Sequence, residues 1–208
     1  MKIRKNKNFI LLFGPDGAGK TTLAKTLAKN FAKKDVRVKV SWMRGTHTLA
    51  LVMARFLSRF NSLKGQDNPY FHIRSPSPIK LWQLIEFLSV IPVILVKYEV
   101  PRRIGYTVIG ERSYIDFIVW VATTTNDPLF IRSKYATILL KMASRGKNFY
   151  VTAKTSTLLK RRFNEIDKNF LEKQIKYYKI LSKIINAVEI DSTQKSLYQC
   201  LLEVYRWI

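Results

Sequence analysis

Residues 8–31 have the sequence NFILLFGPDGAGKTTLAKTLAKNF and combine three features in a row. Phe9–Phe13 is a short apolar run with the length of a buried strand. Residues 14–21 have the spacing G-x-x-x-x-G-K-T, and the stretch after them places Leu23 and Leu27 on one stripe at helical spacing. A strand, a glycine-rich loop and a helix in this order are the context in which the motif predicts a phosphate-binding loop.

The residue types of this loop suit a triphosphate. Glycines let backbone N–H groups approach phosphate oxygens, and the helix that begins near Gly19 brings its positive end to the same place. We expect Lys20 to reach the β- and γ-phosphates of ATP and the Thr21 hydroxyl to bind Mg²⁺. The predicted ATP-binding residues are Gly14, Pro15, Asp16, Gly17, Ala18, Gly19, Lys20, Thr21 and Thr22.

The chain is strongly basic, with 37 Lys and Arg residues against 14 Asp and Glu residues and a formal net charge of +23. Such a charge attracts anions, and nucleotide substrates are sufficient to explain it. In a simpler interpretation, lysines on solvent-exposed helix faces account for part of the positive charge without binding a specific partner. Binding to nucleic acid is a further explanation that we do not favour.

The sequence also carries signals of cellular location. Cys200 is the only cysteine among the 208 residues, so no internal disulfide can form, which is typical of a reducing cytoplasm. The basic start leads directly into the strand and loop and does not resemble a secretory signal. The most apolar later stretch, Phe87–Val96, is too short to span a bilayer and contains Pro92. We therefore expect a soluble cytoplasmic protein without a membrane span.

Strand-like and helical patterns alternate along the whole chain. Apolar or β-branched runs predict four further strands, and helical periodicity separates them. This order predicts an α/β fold, a three-layer sandwich in which helices flank a five-stranded parallel sheet, within one domain of residues 1–208. We expect a polar loop at 61–78 and a long helix from Ile79 to about Tyr98. The four further predicted strands are 36–42, 106–110, 148–153 and 188–190.

Ligands of such sheets bind beyond the carboxyl ends of the strands, which selects further candidate residues. Arg44 follows the second predicted strand and could hold a second anion opposite the triphosphate. Glu111 and Arg112 follow the third, where an acid commonly serves Mg²⁺ in phosphate-loop proteins. Asp16 is a second acid beside the phosphates. Ion pairing alone is the competing explanation for these charged residues.

A basic cluster at Lys160, Arg161 and Arg162 follows the fourth predicted strand. Charge that develops on a transferred phosphoryl group needs cations, and the loop supplies only Lys20. We therefore predict a short lid at about 155–168 that brings Arg161 and Arg162 over the phosphates. An ordinary basic helix face is the alternative.

Several segments resemble the thymidylate kinases and their nucleoside monophosphate kinase relatives. GPDGAGKTTLAKTLAK is similar to their phosphate loop and first helix, TVIGERSYIDF to their strand followed by Asp-Arg-Tyr, and NFYVTAKTSTLLKRR to their fourth strand and arginine lid. The resemblance implies a P-loop kinase that transfers the γ-phosphoryl group of ATP, with Mg²⁺, to dTMP. It implies catalytic roles for Lys20, Arg112, Arg161 and Arg162, acceptor binding by Asp16, Arg44, Glu111 and Arg112, and metal binding by Thr21 and Glu111.

The departures from this family leave other functions open. Glu111-Arg112-Ser113 is also similar to the Glu-Arg-Ser of deoxynucleoside kinases, and the family's Asp-Arg on the long helix is absent. The alternatives are a deoxynucleoside kinase, or a nucleic-acid-binding P-loop ATPase or kinase of polynucleotide ends. A homodimer is also open.

Overall fold

The computed structural model describes residues 8–43, 45–162 and 167–208. Within these residues the strands are β1 (Phe9–Phe13), β2 (Val38–Ser41), β3 (Lys64–Asn68), β4 (Thr107–Gly110), β5 (Lys147–Thr152) and β6 (Val188–Asp191). The helices are α1 (Lys20–Ala32), α2 (Thr48–Leu57), α3 (Ile79–Ile94), α4 (Val100–Arg103), α5 (Tyr114–Thr124), α6 (Lys134–Ala143), α7 (Thr155–Arg161), α8 (Lys168–Ile184) and α9 (Leu197–Tyr205). Short 3₁₀ turns occupy Asn61–Leu63 and Pro128–Arg132, and a π-helical segment occupies Leu95–Glu99.

Five of the strands form one parallel sheet with the order β2–β4–β1–β5–β6. All five coincide with predicted strands to within two residues at either end. Strand β1 lies at the centre, and its five residues are all buried because helices cover both faces of the sheet. The predicted α/β three-layer sandwich is confirmed.

The two faces of the sheet carry separate apolar layers, because successive residues of a strand point to opposite sides. Phe9, Leu11 and Phe13 join one layer, which packs against side chains of α3, α5, α6 and α8. Ile10 and Leu12 join the other, which packs against α1, α7 and α9. The phosphate loop leaves β1 between these layers, so both of them fix its position.

The polar segment 61–78, which we expected to be a loop, contains the short strand β3 and folds back on itself. Ile73 forms antiparallel bridges with Lys64 and Asn68, and the Ser75 N–H donates to Asp67 Oδ2 at 3.0 Å. Ile73 is buried with residues of α2 and α3. One buried apolar residue anchors the segment, and a single such residue gives no periodic signal in the sequence.

The long helix extends further than the sequence suggested. Helix α3, the π-helical segment and α4 run on as one helix, Ile79–Arg103, of 25 residues, and an 18-residue window within it has a mean hydropathy of 1.9. By length and composition alone this helix could cross a membrane. The short length of Phe87–Val96 is therefore no longer an argument against a membrane span. A core helix of a soluble protein meets the same criterion, and Val90, Ile94 and Tyr98 of this helix pack into the core.

Candidate active site

The loop from Gly14 to Thr21 connects β1 to α1, as its motif predicts. Gly14 has a φ of 142°, and a Cβ atom there would lie 2.0 Å from the carbonyl oxygen of Val151, so only glycine fits. Lys20 is 5% exposed, and its Nζ donates to the carbonyl oxygens of Gly14 at 2.6 Å and Pro15 at 2.8 Å. Burial lowers the pKa of Lys20, an effect that the nearby carboxylates of Asp116 and Asp16 oppose.

The next residue, Thr21, donates its hydroxyl hydrogen to Glu111 Oε1. This contact arises because β1 and β4 are adjacent in the sheet, so the residues that follow them meet at one edge. A hydroxyl and a carboxylate are hard oxygen ligands of the type that Mg²⁺ accepts beside phosphates and water. Within residues 8–43, 45–162 and 167–208, no cluster of three or more His, Cys, Asp or Glu side chains could hold a metal ion. The pair Thr21 and Glu111 therefore fits Mg²⁺ and does not fit a metal that needs an all-protein cage.

Asp16 forms ion pairs with three cationic side chains at the open side of the loop. Its Oδ1 accepts from Arg112 Nη2 at 2.6 Å and lies 3.8 Å from Lys20 Nζ, and its Oδ2 lies 3.8 Å from Arg162 Nη2. Burial by itself would raise the pKa of Asp16, but these cations hold it below its ordinary value. Asp16 thus keeps Arg112 aimed at the space that the phosphates of a bound nucleotide would occupy.

Arg161, the last residue of α7, contacts the backbone of the loop. Arg161 donates to the carbonyl oxygen of Gly17 at 3.1 Å and to both oxygens of Ser192, and Ser192 Oγ in turn donates to the carbonyl oxygen of Ala18. Arg161 therefore braces the loop against the end of β6. Residues 163–166 of the predicted lid lie outside the described residues, and its closure over the phosphates stays a prediction.

A cavity of about 640 Å³ opens beside the loop. Asp16 and Arg112 form its boundary with the loop, and α5, α8 and the β3 segment form its other walls. Three aromatic side chains lie together in it: the rings of Tyr70 and Trp120 are stacked 4.9 Å apart, and Phe170 meets Trp120 edge-on at 6.3 Å. Its other polar lining residues include Gln66, Asp67, His72, Asp116, Asn126, Asp167, Asn169, Lys173 and Gln174.

Asp116 joins the loop to two helices beneath the cavity. Its Oδ2 accepts from the Ser113 N–H at 2.7 Å, and its Oδ1 accepts from the Gly14 N–H at 3.3 Å and from the Tyr178 hydroxyl at 2.9 Å. Burial raises the pKa of Asp116, although Lys20 and Arg112 oppose this effect. We did not predict this residue, but the spacing Ser113-x-x-Asp116 is that of a capping box and could have indicated it.

The structure brings most of the predicted site residues together. Asp16, Lys20, Thr21, Glu111 and Arg112 meet at the carboxyl ends of β1 and β4, as the parallel sheet requires. Arg44, the predicted acceptor clamp, lies outside the described residues. Sequence reasoning missed the cavity walls, because β3, α5 and α8 are far apart in the chain and only the fold brings their lining side chains together.

The loop, the parallel sheet and the adjoining cavity define the chain as a P-loop nucleotide-binding protein. A comparison with family models agrees with this class: residues 10–72 match the model of the ATPase family associated with various cellular activities (AAA). The match covers less than half of the chain and supports a P-loop NTPase domain in general. A search of curated proteins found no match.

Proposed function

We propose that the protein is an ATP-dependent kinase that phosphorylates a nucleoside monophosphate, with dTMP as the leading candidate and other pyrimidine monophosphates close behind. The observation that carries the proposal is the cavity next to the phosphate loop. An enzyme that only hydrolyses ATP needs room for water at this position, whereas a kinase needs a pocket for a second substrate. A volume of about 640 Å³ is within the usual range for small-molecule sites.

The lining of the cavity suits a nucleotide acceptor. Tyr70, Trp120 and Phe170 offer aromatic surface to a base, and the amide side chains of Asn126 and Gln174 can donate to and accept from base or sugar groups. A second substrate of this type would place its reactive oxygen towards Asp16 and Arg112, at the loop side of the cavity. The resemblance to thymidylate kinases supports dTMP as the acceptor.

The loop residues would support transfer by positioning and charge. When ATP binds, Lys20 would exchange the carbonyl oxygens of Gly14 and Pro15 for phosphate oxygens. Arg112 lies between the loop and the cavity, where it can contact the γ-phosphate and the acceptor phosphate in turn. Thr21 and Glu111 would hold Mg²⁺, which neutralises charge on the phosphate oxygens when it is bound. Arg44 would hold the acceptor phosphate, and Arg161 and Arg162 would act from the lid.

The test is ATP consumption measured with four kinds of acceptor: nucleoside monophosphates, nucleosides, 5′-hydroxyl oligonucleotides and no acceptor. We expect phosphorylated product with a monophosphate and little ATP turnover without one. Product with nucleosides alone would favour the deoxynucleoside kinase alternative. Equal ATP turnover with and without acceptors would refute the kinase proposal. Lys20→Ala serves as the inactive control.

A second candidate function is a nucleic-acid-dependent P-loop ATPase or a kinase of polynucleotide ends. The partial match to the AAA model and the net charge of +23 favour it. Such a protein should bind an oligonucleotide more tightly than the non-specific range of about 10⁻⁴–10⁻⁶ M at physiological salt. A fluorescence anisotropy titration at two salt concentrations distinguishes the two functions. A nanomolar complex, or ATP turnover stimulated by the oligonucleotide, would shift the assignment to this second class.

A further inference from the structure

A buried hydrogen-bonded chain links the long helix to the aromatic wall of the cavity. Glu86 of α3 is 1% exposed, and its Oε1 accepts from the Thr46 hydroxyl at 2.9 Å. The same Thr46 oxygen accepts from the indole Nε1–H of Trp120 at 3.0 Å. Trp120 lines the cavity, whereas neither Thr46 nor Glu86 does.

The direction of this chain follows from the groups themselves. An indole nitrogen can only donate, so the oxygen of Thr46 must be the acceptor of that bond. Thr46 then has a single hydroxyl hydrogen left, and that hydrogen points to Glu86. Glu86 must therefore present an accepting oxygen, which a carboxyl or an amide supplies and an apolar side chain does not.

Trp120 is the centre of the aromatic wall. It is stacked on Tyr70 of the β3 segment and meets Phe170 of α8 edge-on, so its orientation fixes side chains from two other segments. On the side of β2, the indole packs directly on Gly45: a Cβ atom there would lie 2.3 Å from the ring. Gly45 thus provides the space for the ring, and Thr46 provides the hydrogen bond that orients it.

The second oxygen of Glu86 supports a role beyond packing. Within the part of the chain that the structure describes, Glu86 Oε2 is buried without a hydrogen-bond partner. Burial raises the pKa of Glu86 to about 8, an effect that the hydrogen bond from Thr46 opposes. Burying a carboxyl costs free energy that an apolar side chain of similar size would not cost. The presence of a carboxyl here is explained if its hydrogen bond to Thr46 has a function.

We propose that Glu86 is a positioning residue of the acceptor site, which acts through Thr46 to hold the indole ring of Trp120 and with it the aromatic wall that receives the base. The inference rests on the proposed function, because it needs an acceptor in the cavity. It predicts that Glu86 and Thr46 control acceptor affinity and leave ATP affinity unchanged, although neither residue touches the acceptor.

Two matched pairs of variants test the inference. Thr46→Val replaces the hydroxyl by a methyl group and removes both hydrogen bonds, whereas Thr46→Ser keeps the hydroxyl. Glu86→Leu removes the acceptor, whereas Glu86→Gln keeps it. The dissociation constants of dTMP and of a fluorescent ATP analogue are measured for each variant by titration, and the indole N–H signal of Trp120 is followed by NMR.

We expect Thr46→Val and Glu86→Leu to weaken dTMP binding about tenfold or more, as for the loss of a buried hydrogen bond. Thr46→Ser and Glu86→Gln should stay close to the parent, and ATP affinity should stay unchanged in all four. The Trp120 signal should shift in Thr46→Val and Glu86→Leu. If Glu86→Leu does not fold, the nearly isosteric Thr46→Val decides the question.

The outcomes separate this inference from the function on which it rests. A parent protein that binds dTMP, together with a Thr46→Val variant that binds it equally well, would overturn the positioning role alone. Equal losses of dTMP and ATP affinity would also overturn it, because they indicate general damage to the fold. A parent that binds neither dTMP nor any other acceptor of the panel would overturn the proposed function and this inference together.

Discussion

Replacing Glu86 by Gln should change how the stability of the protein depends on pH. The pKa of Glu86 is raised from an ordinary value of 4.5 to about 8 because the side chain is buried. The folded protein therefore holds a proton that the unfolded chain releases at a lower pH. An acid of this kind favours the folded state fully below pH 4.5, and that contribution is lost as the pH rises towards 8.

The size of the effect follows from the interval between the two pKa values. Each pKa unit corresponds to about 1.36 kcal/mol, so the parent should lose up to about 5 kcal/mol of unfolding free energy between pH 4.5 and 8. About 3 kcal/mol of this loss should be present at pH 7. Glu86→Gln carries no titrating group at this position and should lack the loss. The amide adds a buried donor, but that cost is the same at every pH.

Urea unfolding, followed by circular dichroism at pH 5, 6, 7, 8 and 9, measures the difference. The free energy of Glu86→Gln minus that of the parent should rise steadily with pH and level off above pH 8. Glu189→Gln, which removes a carboxylate from the exposed side of β6, is the matched control for net charge. Parallel curves for the parent and Glu86→Gln would refute the argument, because they would show that Glu86 does not hold its proton in the folded state.

Four further predictions concern the phosphate loop and its surroundings. Lys20→Ala should lower kcat about 10³-fold or more without unfolding the protein. Lys25→Ala, on the exposed side of α1, is the control and should leave kcat unchanged. A kcat of Lys20→Ala within tenfold of the parent would refute the role of Lys20. Glu111→Gln should raise the Mg²⁺ concentration for half-maximal activity about 10–100-fold, and an unchanged Mg²⁺ titration would exclude Glu111 from the metal site. Arg44→Ala should raise KM for the acceptor and leave ATP affinity unchanged in a binding titration; an effect confined to ATP would contradict the clamp. Arg161→Ala should lower both kcat and the melting temperature, because the guanidinium donates to the carbonyl oxygen of Gly17 and stabilises the loop. Both quantities are measured, by steady-state kinetics and by thermal unfolding. A change in kcat alone would favour a purely catalytic role of Arg161 in the lid.

The sequence was sufficient for the sheet and for the centre of the site. Strand β1 is apolar on both faces, and the loop that follows it has fixed spacing, so short-range patterns identify both. The pairing of Thr21 with Glu111 could also be anticipated, because both residues follow strands of one parallel sheet. These features depend on local periodicity and on a general rule of sheet topology.

The cavity could not be predicted in the same way, because its walls come from separated parts of the chain. Tyr70, Trp120 and Phe170 are ordinary aromatic residues in the sequence, and only the packing of the β3 segment, α5 and α8 brings them together. The role of Glu86 could not be predicted for a different reason. Its position on an apolar helix marks it as unusual, but its partner Thr46 is forty residues away.

The order of the sheet has a consequence for how the chain must fold. Strand β1 is complete at residue 13, yet its two neighbours, β4 and β5, are contributed by residues 107–110 and 147–152. At about 5–20 residues per second, a ribosome needs roughly 7–28 s to progress from β1 to the end of β5.

Until β4 has been made, β1 has neither of its hydrogen-bonding partners, and until β5 is complete it has only one of them. Phe9–Phe13 therefore has at least one unpaired edge during this interval and is an aggregation-prone segment of the nascent chain. Production of this protein should therefore benefit from chaperones that hold nascent chains, and a truncation that ends before residue 147 should be insoluble even though it contains the whole phosphate loop.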